Sequence, residues 1–270
     1  MATLKTAVMG HPIAHSLSPL LHNAVYLNEN VDAEMVAIDV EDVANIVERI
    51  RAEPFGLTAV TLPHKQTIIP LLNEVDTLAK EIGAVNTVIN REGQLCGYNT
   101  DIVGIAVALG DCMLNGKNTL LIGAGGAAQP VAYHLKQSGA TMLYYSRDIQ
   151  KTRALAERFG GTALESEDYG AHSFDVVINA TPLGLHTADA LPFPEHLLKP
   201  GITVFDLIYT PTRLQKIARE KGARVITGLP MLVAQGLEQE RLWLGRKIRD
   251  SGYSALLQEE LDNRSNATQK

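Results

Sequence analysis

The sequence predicts an α/β protein of two domains, the second of which contains a parallel, doubly wound sheet. The chain has 270 residues, and because domains average roughly 150 residues, two cores are expected. Strand-like and helical patterns alternate along the chain, which is typical of β-α-β units. A glycine-rich segment, GAGGAA, follows a buried strand pattern in the second half and precedes a helical one.

The first half predicts three strands that are separated by helices. The strand patterns are TAVMG, AEMVAIDV and LTAVTL, and a helix of about residues 19–28 lies between the first two. In EDVANIVERIRA, Val43, Ile46, Val47 and Ile50 recur at helical spacing and form one apolar face. The stretch VNTVINREGQLCGYN has a β-like pattern, and a helix of about residues 101–113 is expected after it.

The second half predicts five buried strands with helices between them. Their patterns are TLLI, TMLYY, DVVINA, TVFDLI and RVIT, which favour a parallel, doubly wound sheet. The helical patterns from about residue 230 onward continue beyond the last strand, and we expect them to cover the first half. The polar end of the chain, NRSNAT, predicts a disordered tail.

The composition disfavours several classes of partner. With 46% apolar and 20% charged residues, the chain is typical of globular proteins. Its net charge of −6 argues against binding to nucleic acid or to an anionic membrane. Cys96 and Cys112 lack the spacing of a metal site, and MATLKTAVMG lacks the apolar core of a signal peptide. We expect a cytoplasmic protein without a metal, either a monomer or a homodimer.

The glycine-rich segment predicts a dinucleotide-binding turn. Gly123, Gly125 and Ala128 occupy the G-x-G-x-x-G/A positions, where a tight turn brings the backbone of a helix N-terminus close to a pyrophosphate. Such turns also occur without ligands, but here the strand, the helix and the following βαβ pattern are all present. We therefore expect a dinucleotide cofactor.

The end of the next predicted strand bears on the choice between NADP and NAD. Ser146, Arg147, Asp148 and Lys151 follow TMLYY, where a basic residue can hold the extra phosphate of NADP and an acidic one selects NAD. Arg147 and Lys151 favour NADP, with NAD as the weaker alternative. Asp148 could oppose the phosphate, or it could be the N-cap of the following helix.

Three motifs in the first half have both a structural and a functional interpretation. Ser18 precedes Pro19 and is a candidate N-cap, whereas Ser16 and Ser18 together could hold a carboxylate at a helix N-terminus. Asn86 could be a turn residue, and Asp101 could cap the helix that follows it. Lys65 stands just after a strand pattern in VTLPHK, an unusual place for a side chain that is costly to bury.

Taken together, these motifs resemble the shikimate dehydrogenase family. They run in the family's order from residue 10 to about residue 235, and several are specific to the family. The matching segments are GHPIAHSLSP, VTLPHK, IGAVNTV, GYNTD, GAGGAA, NATPLG, FDLIYTPTRL and GLPMLVAQ.

The resemblance implies a substrate-binding domain of residues 1–100 plus about 236–270, and a Rossmann-type NADP-binding domain of residues 101–235. A C-terminal helix is expected to return to the first domain. The implied reaction is reversible hydride transfer between NADPH and 3-dehydroshikimate, which gives shikimate and NADP. No partner other than this small-molecule substrate is implied.

The resemblance also assigns roles to individual residues. Lys65 and Asp101 match the catalytic pair, and a lysine beside a carbonyl that accepts hydride can supply the proton that the oxygen needs. His64 is expected to be a flanking surface residue. The substrate contacts are Ser16, Ser18, Thr61, Asn86, Tyr209 and Gln235. The cofactor positions are Gly123, Ala124, Gly125, Gly126, Ala127, Ser146, Arg147, Asp148, Lys151, Thr181, Leu207 and Gly228.

The sequence departs from the family's pattern at two places. Ala59 replaces an asparagine that would offer the substrate an amide, and SRD replaces the usual N-R-T in the cofactor strip. These departures leave open a quinate/shikimate dehydrogenase that uses NAD or NADP, although the serine at position 18 favours shikimate. A non-catalytic sensor of the ligand is the alternative from a different class, and the intact Lys65 and Asp101 argue against it.

Overall fold

The computed structural model describes residues 3–53, 55–165, 171–186 and 188–268. Strands and helices alternate along the chain. The strands are β1 (Leu4–Gly10), β2 (Ala33–Asp39), β3 (Phe55–Val60), β4 (Glu74–Val75), β5 (Thr87–Arg91), β6 (Gln94–Tyr98), β7 (Asn118–Ile122), β8 (Thr141–Tyr145), β9 (Thr162–Ala163), β10 (Val176–Asn179), β11 (Thr203–Asp206) and β12 (Arg224–Thr227). The helices are α1 (Ser18–Glu29), α2 (Val43–Ala52), α3 (Thr77–Ile82), α4 (Asp101–Ala108), α5 (Ala128–Gln137), α6 (Ile149–Phe159), α7 (Arg213–Glu220), α8 (Leu229–Leu244) and α9 (Tyr253–Thr268).

The chain divides into two compact units, and the C-terminal helices belong to the first. That unit comprises Met1–Gly104 and Leu232–Lys270, and the second comprises Ile105–Met231. Within the first unit α9 packs against α1, so the end of the chain covers part of the first half as expected.

The first unit is built on a six-stranded mixed sheet with the order β2-β1-β3-β5-β6-β4. β1 pairs in parallel with β2 and β3, whereas β5 runs antiparallel to β3 and β6. Glu92 and Gly93, with φ of 55° and 89°, form the two-residue turn between β5 and β6. Positive φ at both positions suits a hairpin turn whose twist matches its strands, and glycine adopts it without steric cost.

Apolar residues cover both faces of this sheet. Ile46, Val47 and Ile50, the face predicted for α2, pack on one side with residues such as Phe55. The opposite side contains a second cluster around Tyr26 of α1. A sheet buried on both faces explains why its central strands consist almost entirely of buried residues.

The second unit contains a six-stranded sheet in the order β12-β11-β10-β7-β8-β9, with every neighbouring pair parallel. All five strands predicted for this half are present, so the doubly wound fold is confirmed. Strand order reverses between β7 and β10, and the crevice outside the carboxyl ends of strands at such a point is where doubly wound folds bind ligands.

One predicted helix boundary and one predicted disordered segment were wrong. The helix that begins at Asp101 ends at Ala108 rather than near residue 113, because Gly110 closes a tight turn on the carbonyl of Val107. The polar end of the chain is helical up to residue 268 and not a disordered tail. It continues α9, whose Leu257 and Leu261 are one turn apart and buried.

Among the described residues, no helix is both long and apolar enough to cross a membrane. No group of three or more histidine, cysteine or acidic side chains in this part of the chain is arranged to hold a metal ion.

Candidate active site

Lys65 forms an ion pair with Asp101 in the first unit. It lies in the turns that follow β3, and its side chain is only 14% exposed. Nζ donates to Oδ2 of Asp101 over 2.7 Å, and Asp101, the first residue of α4, is itself 4% exposed. The lysine after the strand is therefore aimed at a buried carboxylate and is not directed into solvent.

The amide of Asn86 connects this pair to helix α8. Its Nδ2 lies 3.0 Å from Oδ1 of Asp101 and 3.1 Å from Oε1 of Gln235, and its Oδ1 accepts the backbone N–H of Thr100 over 2.7 Å. Lys65, Asp101, Asn86 and Gln235 thus form one hydrogen-bonded cluster, although they come from four separate segments. Four of the eight predicted catalytic and substrate residues are joined in this way.

The cluster combines a proton donor with a fixed anion. The carboxylate of Asp101 accepts from Lys65 on one oxygen and from Asn86 on the other. Hydrogen bonds to ionised groups are stronger than those between neutral groups, so the ammonium has a defined position. An ammonium held in this manner can give a proton to an oxygen that becomes negative, and the neutral amine can take it back.

Ser16 and Ser18 lie at the N-terminus of α1, but their capping roles differ from the prediction. Ser18 is the first helical residue, and Leu17 occupies the N-cap position without a side-chain cap. The Oγ of Ser16 accepts the N–H of Ser18 over 3.2 Å, so Ser16 supplies the local cap that was expected of Ser18. Pro19, at the start of the helix, has no N–H to satisfy.

Thr61 follows β3 directly and lies against Gly10 at the end of β1. A Cβ added to Gly10 would be 2.4 Å from Cγ2 of Thr61 and 2.7 Å from the carbonyl oxygen of Leu62. Glycine is therefore required where these two strand ends meet. Among the described residues, no hydrogen bond links Thr61, Ser16 or Ser18 to the Lys65 cluster.

His64 is a buried structural residue and not the surface residue that was expected. It is 3% exposed, and its Nε2 lies 2.7 Å from the carbonyl oxygen of Val40. His64 thus connects the turns after β3 to the segment that follows β2. Its Nε2 is already in a hydrogen bond, although the residue is next to the candidate catalytic lysine in the sequence.

Ala59 lies inside β3 and is 6% exposed. It packs in the apolar cluster that contains Val8 and Ile13, and it pairs with Thr87 across the antiparallel β3–β5 ladder. The family's asparagine is thus replaced at a buried position on the strand that leads to Thr61.

The glycine loop of the second unit is a turn between β7 and α5. Gly123 has φ of +113°, and a Cβ there would be 2.9 Å from the carbonyl oxygen of Ala180 and 3.2 Å from Cγ2 of Thr181. Gly125 is exposed, and a Cβ there would meet no described atom within 4 Å. Helix α5 begins at Ala128 without a side-chain cap. Gly123 thus permits close packing at the turn, and Gly125 leaves open space beside it. Of the other residues in the turn, Ala124 is buried, and Gly126 and Ala127 are half-buried.

The residues after β8 confirm Asp148 as a helix cap. Its Oδ1 accepts the N–H groups of Gln150 and Lys151 over 3.1 and 3.2 Å, and Oδ2 lies 3.7 Å from Nζ of Lys151. Ser146 donates to, or accepts from, Thr152 over 2.7 Å. Arg147 is exposed, and no described residue forms a hydrogen bond or ion pair with its guanidinium.

Thr181, Leu207 and Gly228 follow three neighbouring strands, β10, β11 and β12. A Cβ on Gly228 would be 2.0 Å from the carbonyl oxygen of Leu207, so only glycine fits there. The Oγ1 of Thr181 donates to Oδ1 of Asn179 over 2.6 Å, and Nδ2 of Asn179 donates to Asp206 over 3.0 Å. Burial raises the pKa of Asp206, whereas its hydrogen bonds counteract that shift.

Sequence reasoning missed several residues that hold the predicted ones. Asn179 forms hydrogen bonds with Thr181 and with Asp206. Asn179 lies in the segment NATPLG and Asp206 in FDLIYTPTRL, so their positions in these motifs could have indicated them. Thr87, Thr100 and Gln239 surround Asn86 in the first unit. Gln239 had no distinguishing signal, since a polar residue in a long helix is ordinary.

Tyr209 belongs to the second unit, in the segment between β11 and α7, where it is half-buried. It is the one predicted substrate residue that lies in this unit.

Two family models match the chain. Residues 8–88 match the model described as shikimate dehydrogenase substrate binding domain, and residues 106–187 match the one described as shikimate / quinate 5-dehydrogenase. A protein of Pyrococcus furiosus named shikimate dehydrogenase (NADP(+)) is 40% identical over 246 residues, which are 89% of this chain and 90% of that protein.

Solved structures agree with these matches in fold. The crystal structure of shikimate dehydrogenase from Aquifex aeolicus superposes with a TM-score of 0.88 at 36% identity, over 94% of this chain and 96% of that one. The enzyme of Thermus thermophilus, solved with NADP(H) and shikimate, gives 0.84 at 37% identity, over 97% of this chain and 99% of that one. This chain belongs to the shikimate dehydrogenase family.

Proposed function

We propose that this chain catalyses the reversible, NADP-dependent reduction of 3-dehydroshikimate to shikimate. The observation that carries the proposal is the buried pair of Lys65 and Asp101, joined by Asn86 to Gln235. The solved relative from Thermus thermophilus, whose complex contains NADP(H) and shikimate, supports the choice of substrate and cofactor.

The second unit fits a dinucleotide. The open position at Gly125 and the uncapped N-terminus of α5 would receive the pyrophosphate, because free N–H groups and the helix dipole favour an anion. Gly123 allows the turn to lie against Ala180 and Thr181. When NADPH is bound, it supplies the hydride. Thr181, Leu207 and Gly228 would border the cofactor at the ends of their strands.

The residues after β8 favour NADP over NAD. Arg147 is exposed and has no described partner, so its guanidinium is free to bind a 2′-phosphate. The carboxylate of Asp148 caps α6 and lies beside Lys151, which reduces its availability to a ribose hydroxyl. Ser146 and Lys151 are the other two predicted cofactor positions in this segment. NAD remains the weaker alternative, because it lacks the 2′-phosphate that Arg147 would bind.

Lys65 is the proposed proton donor. In reduction, its ammonium gives a proton to the carbonyl oxygen that becomes the alcohol, and in oxidation the neutral amine accepts a proton from that alcohol. Asp101 fixes the position of Nζ and balances the charge of the ammonium. Asn86 in turn holds the carboxylate by its other oxygen.

The remaining residues would bind and orient the substrate. Ser16 and Ser18 at the start of α1 suit the substrate's carboxylate, since hydroxyl donors and helix N–H groups are present there together. Thr61, Asn86, Tyr209 and Gln235 offer groups for the ring hydroxyls. We place substrate binding chiefly in the first unit, Met1–Gly104 and Leu232–Lys270, and cofactor binding chiefly in the second, Ile105–Met231.

Ala59 favours a second candidate, a quinate/shikimate dehydrogenase. An alanine leaves one polar contact fewer for a ring hydroxyl than the family's asparagine would provide, so a differently substituted ring could be accepted. Quinate is the natural test compound, because it differs from shikimate in the ring and retains the carboxylate. The second family model, which names both acids, matches residues 106–187 and does not separate the two candidates.

The proposal is tested with purified protein, NADP and shikimate, by following NADPH at 340 nm and identifying 3-dehydroshikimate as the product. Binding of both ligands without turnover would support the sensor instead. The proposal includes a cytoplasmic location and a monomer or homodimer, which cell fractionation and the mass measured in solution would test.

A further inference from the structure

A chain of hydrogen bonds leads from helix α8 to the Lys65–Asp101 pair through two residues that have no assigned role. Nε2 of Gln239 lies 2.9 Å from Oγ1 of Thr87 and 3.2 Å from the backbone oxygen of Asn86. Gln239 is 1% exposed and Thr87 is completely buried, so water has little access to these bonds. Both residues lie within the first unit.

The chemistry of the partners fixes the orientation of the Gln239 amide. A backbone carbonyl oxygen can only accept a hydrogen bond, so Nε2 and not Oε1 must face Asn86. The same Nε2 then donates its second hydrogen to Thr87, whose hydroxyl acts as the acceptor. The hydrogen of that hydroxyl must therefore point elsewhere.

The nearest acceptor for the Thr87 hydroxyl is Oδ1 of Asn86, at 2.8 Å, whereas the hydroxyl of Thr100 is 3.2 Å away. Oδ1 also receives the N–H of Thr100. With Oδ1 held by these donors, Nδ2 faces Oδ1 of Asp101. If the amide were flipped, its oxygen would lie against the carboxylate and repel it.

Each donor in the chain thus sets the direction of the next. Gln239 donates to Thr87, Thr87 donates to Asn86, and Asn86 donates to Asp101. The second oxygen of Asp101 remains available to Lys65, which occupies it.

We infer that Gln239 and Thr87 are positioning residues that orient the Asn86 amide and thereby hold Asp101 and Lys65 in place. The inference rests on the proposed function. Oε1 of Gln239 is buried without a partner among the described residues, which is costly for a side chain that only fills space. The two N–H donors of the same amide give a reason for its presence at this position.

The test compares variants that change one hydrogen bond each. Thr87→Val removes the hydroxyl and keeps the shape, Thr87→Ser restores the hydroxyl, and Gln239→Met removes both donors at similar length. Thr58→Val is the matched control, because Thr58 is also completely buried, lies in the neighbouring strand β3, and has a hydroxyl without a described partner.

Two readouts are required, of which one needs no turnover. The first is the rate at which trace acetic anhydride labels Lys65 in the protein without substrate, measured by mass spectrometry with Lys80 as the internal reference. The second is kcat for shikimate oxidation, together with the KM for NADP. We expect Thr87→Val and Gln239→Met to raise the labelling rate at least about twofold, because Nζ is held less firmly.

The same two variants should lower kcat roughly two- to tenfold, the factor that corresponds to one net hydrogen bond, without changing the KM for NADP. Thr87→Ser and Thr58→Val should behave like the unchanged protein in both assays. An unaltered labelling rate of Lys65 in Thr87→Val would overturn the inference. A rate that rises equally in Thr58→Val would also overturn it, because it would indicate a general packing effect. If the unchanged protein does not oxidise shikimate, the proposed function fails, while the labelling experiment still decides the positioning role. If Gln239→Met does not fold, the Thr87 and Thr58 variants decide it.

Discussion

The ammonium of Lys65 lies 2.7 Å from the carboxylate of Asp101, and both side chains are largely shielded from water. A buried charge is costly unless a partner compensates it, so each group depends on the other. The pair is therefore more than an incidental surface contact. It lies at the centre of a polar cluster in the first unit.

Lys65→Ala should abolish most turnover and leave NADP binding nearly unchanged. The variant removes the proton donor from the first unit, whereas the glycine loop lies in the second. General acid–base groups typically contribute about 100- to 10,000-fold to the rate, and kcat for shikimate oxidation should fall by that factor. Lys80→Ala, at an exposed lysine of α3, is the control. A kcat within threefold of the unchanged protein would exclude Lys65 from the mechanism.

Arg147→Gln should raise the KM for NADP far more than the KM for NAD, because only NADP carries the 2′-phosphate. The exposed guanidinium has no described partner, so its loss removes no structural contact from the described residues. Arg153→Gln is the control, since Arg153 lies on the helix that follows, α6, and pairs with Glu165 instead. Initial rates with both cofactors provide the comparison. An equal rise in the KM for NADP and the KM for NAD would show that Arg147 stabilises the loop or stacks on the adenine and does not select the 2′-phosphate.

The features that the sequence predicted best depend on neighbours in the chain. The glycine loop is a strand, a turn and a helix in direct succession, so its geometry follows from GAGGAA and the patterns beside it. Asp148 as an N-cap is equally local. The resemblance to the family added Lys65 and Asp101, whose pairing no spacing rule would have provided.

The features that the sequence did not predict depend on contacts between distant segments or on the exact residue at which a helix begins. Gln239 reaches Thr87 from 152 positions away, and such a polar contact leaves no periodic trace. His64 is buried because the carbonyl of Val40 is available to it, which the local segment VTLPHK does not reveal. Ser18 was assigned as the cap because the start of a helix is hard to fix within one residue.

Ala59→Asn should lower the KM for shikimate about two- to tenfold, with little change for NADP. Ala59 and Thr87 are directly opposite each other in the antiparallel ladder, so an asparagine would place its amide on the face that carries the Thr87 hydroxyl. A net hydrogen bond contributes about 0.5–1.5 kcal/mol, which gives the stated range.

Ala59→Leu is the matched control, because leucine adds a similar volume without an amide. If both variants raise the KM for shikimate, the added volume clashes, and Ala59 makes room for a different ring. Loss of activity on another polyol acid in the same variants would support that view.

Glu240→Ala should destabilise the first unit by about 3–5 kcal/mol. Glu240 of α8 forms a hydrogen bond with Nδ1 of His22 in α1, both side chains are completely buried, and removal of one partner leaves the other uncompensated. Urea unfolding can be followed by the fluorescence of Trp243, the single tryptophan, which lies on the same helix.

Glu238→Ala is the control on α8, since Glu238 pairs with Arg241 near the surface and should contribute no more than about 1 kcal/mol. A Glu240→Ala variant as stable as this control would show that the buried pair is not needed for stability.

The pKa of His11 should lie above its ordinary value, and Asp39→Asn should return it toward that value. The Asp39 carboxylate, 2.6 Å from Nδ1, raises the pKa of His11, and Glu41 near Nε2 adds a smaller effect in the same direction. The folded state therefore favours the protonated ring. Its stabilising effect is present below the unfolded pKa and is lost as the pH rises through the folded value. The His11 ring signal in an NMR titration measures the shift, and an unchanged pKa in Asp39→Asn would exclude the ion pair.

The most direct test of the proposed function is the catalytic efficiency, kcat/KM, measured for shikimate and quinate with NADP and with NAD. The account predicts the highest value for shikimate with NADP, a lower one for shikimate with NAD, and a kcat that is about 100- to 10,000-fold lower in Lys65→Ala. A higher value for quinate than for shikimate, or binding of shikimate and NADP without any formation of NADPH, would contradict it.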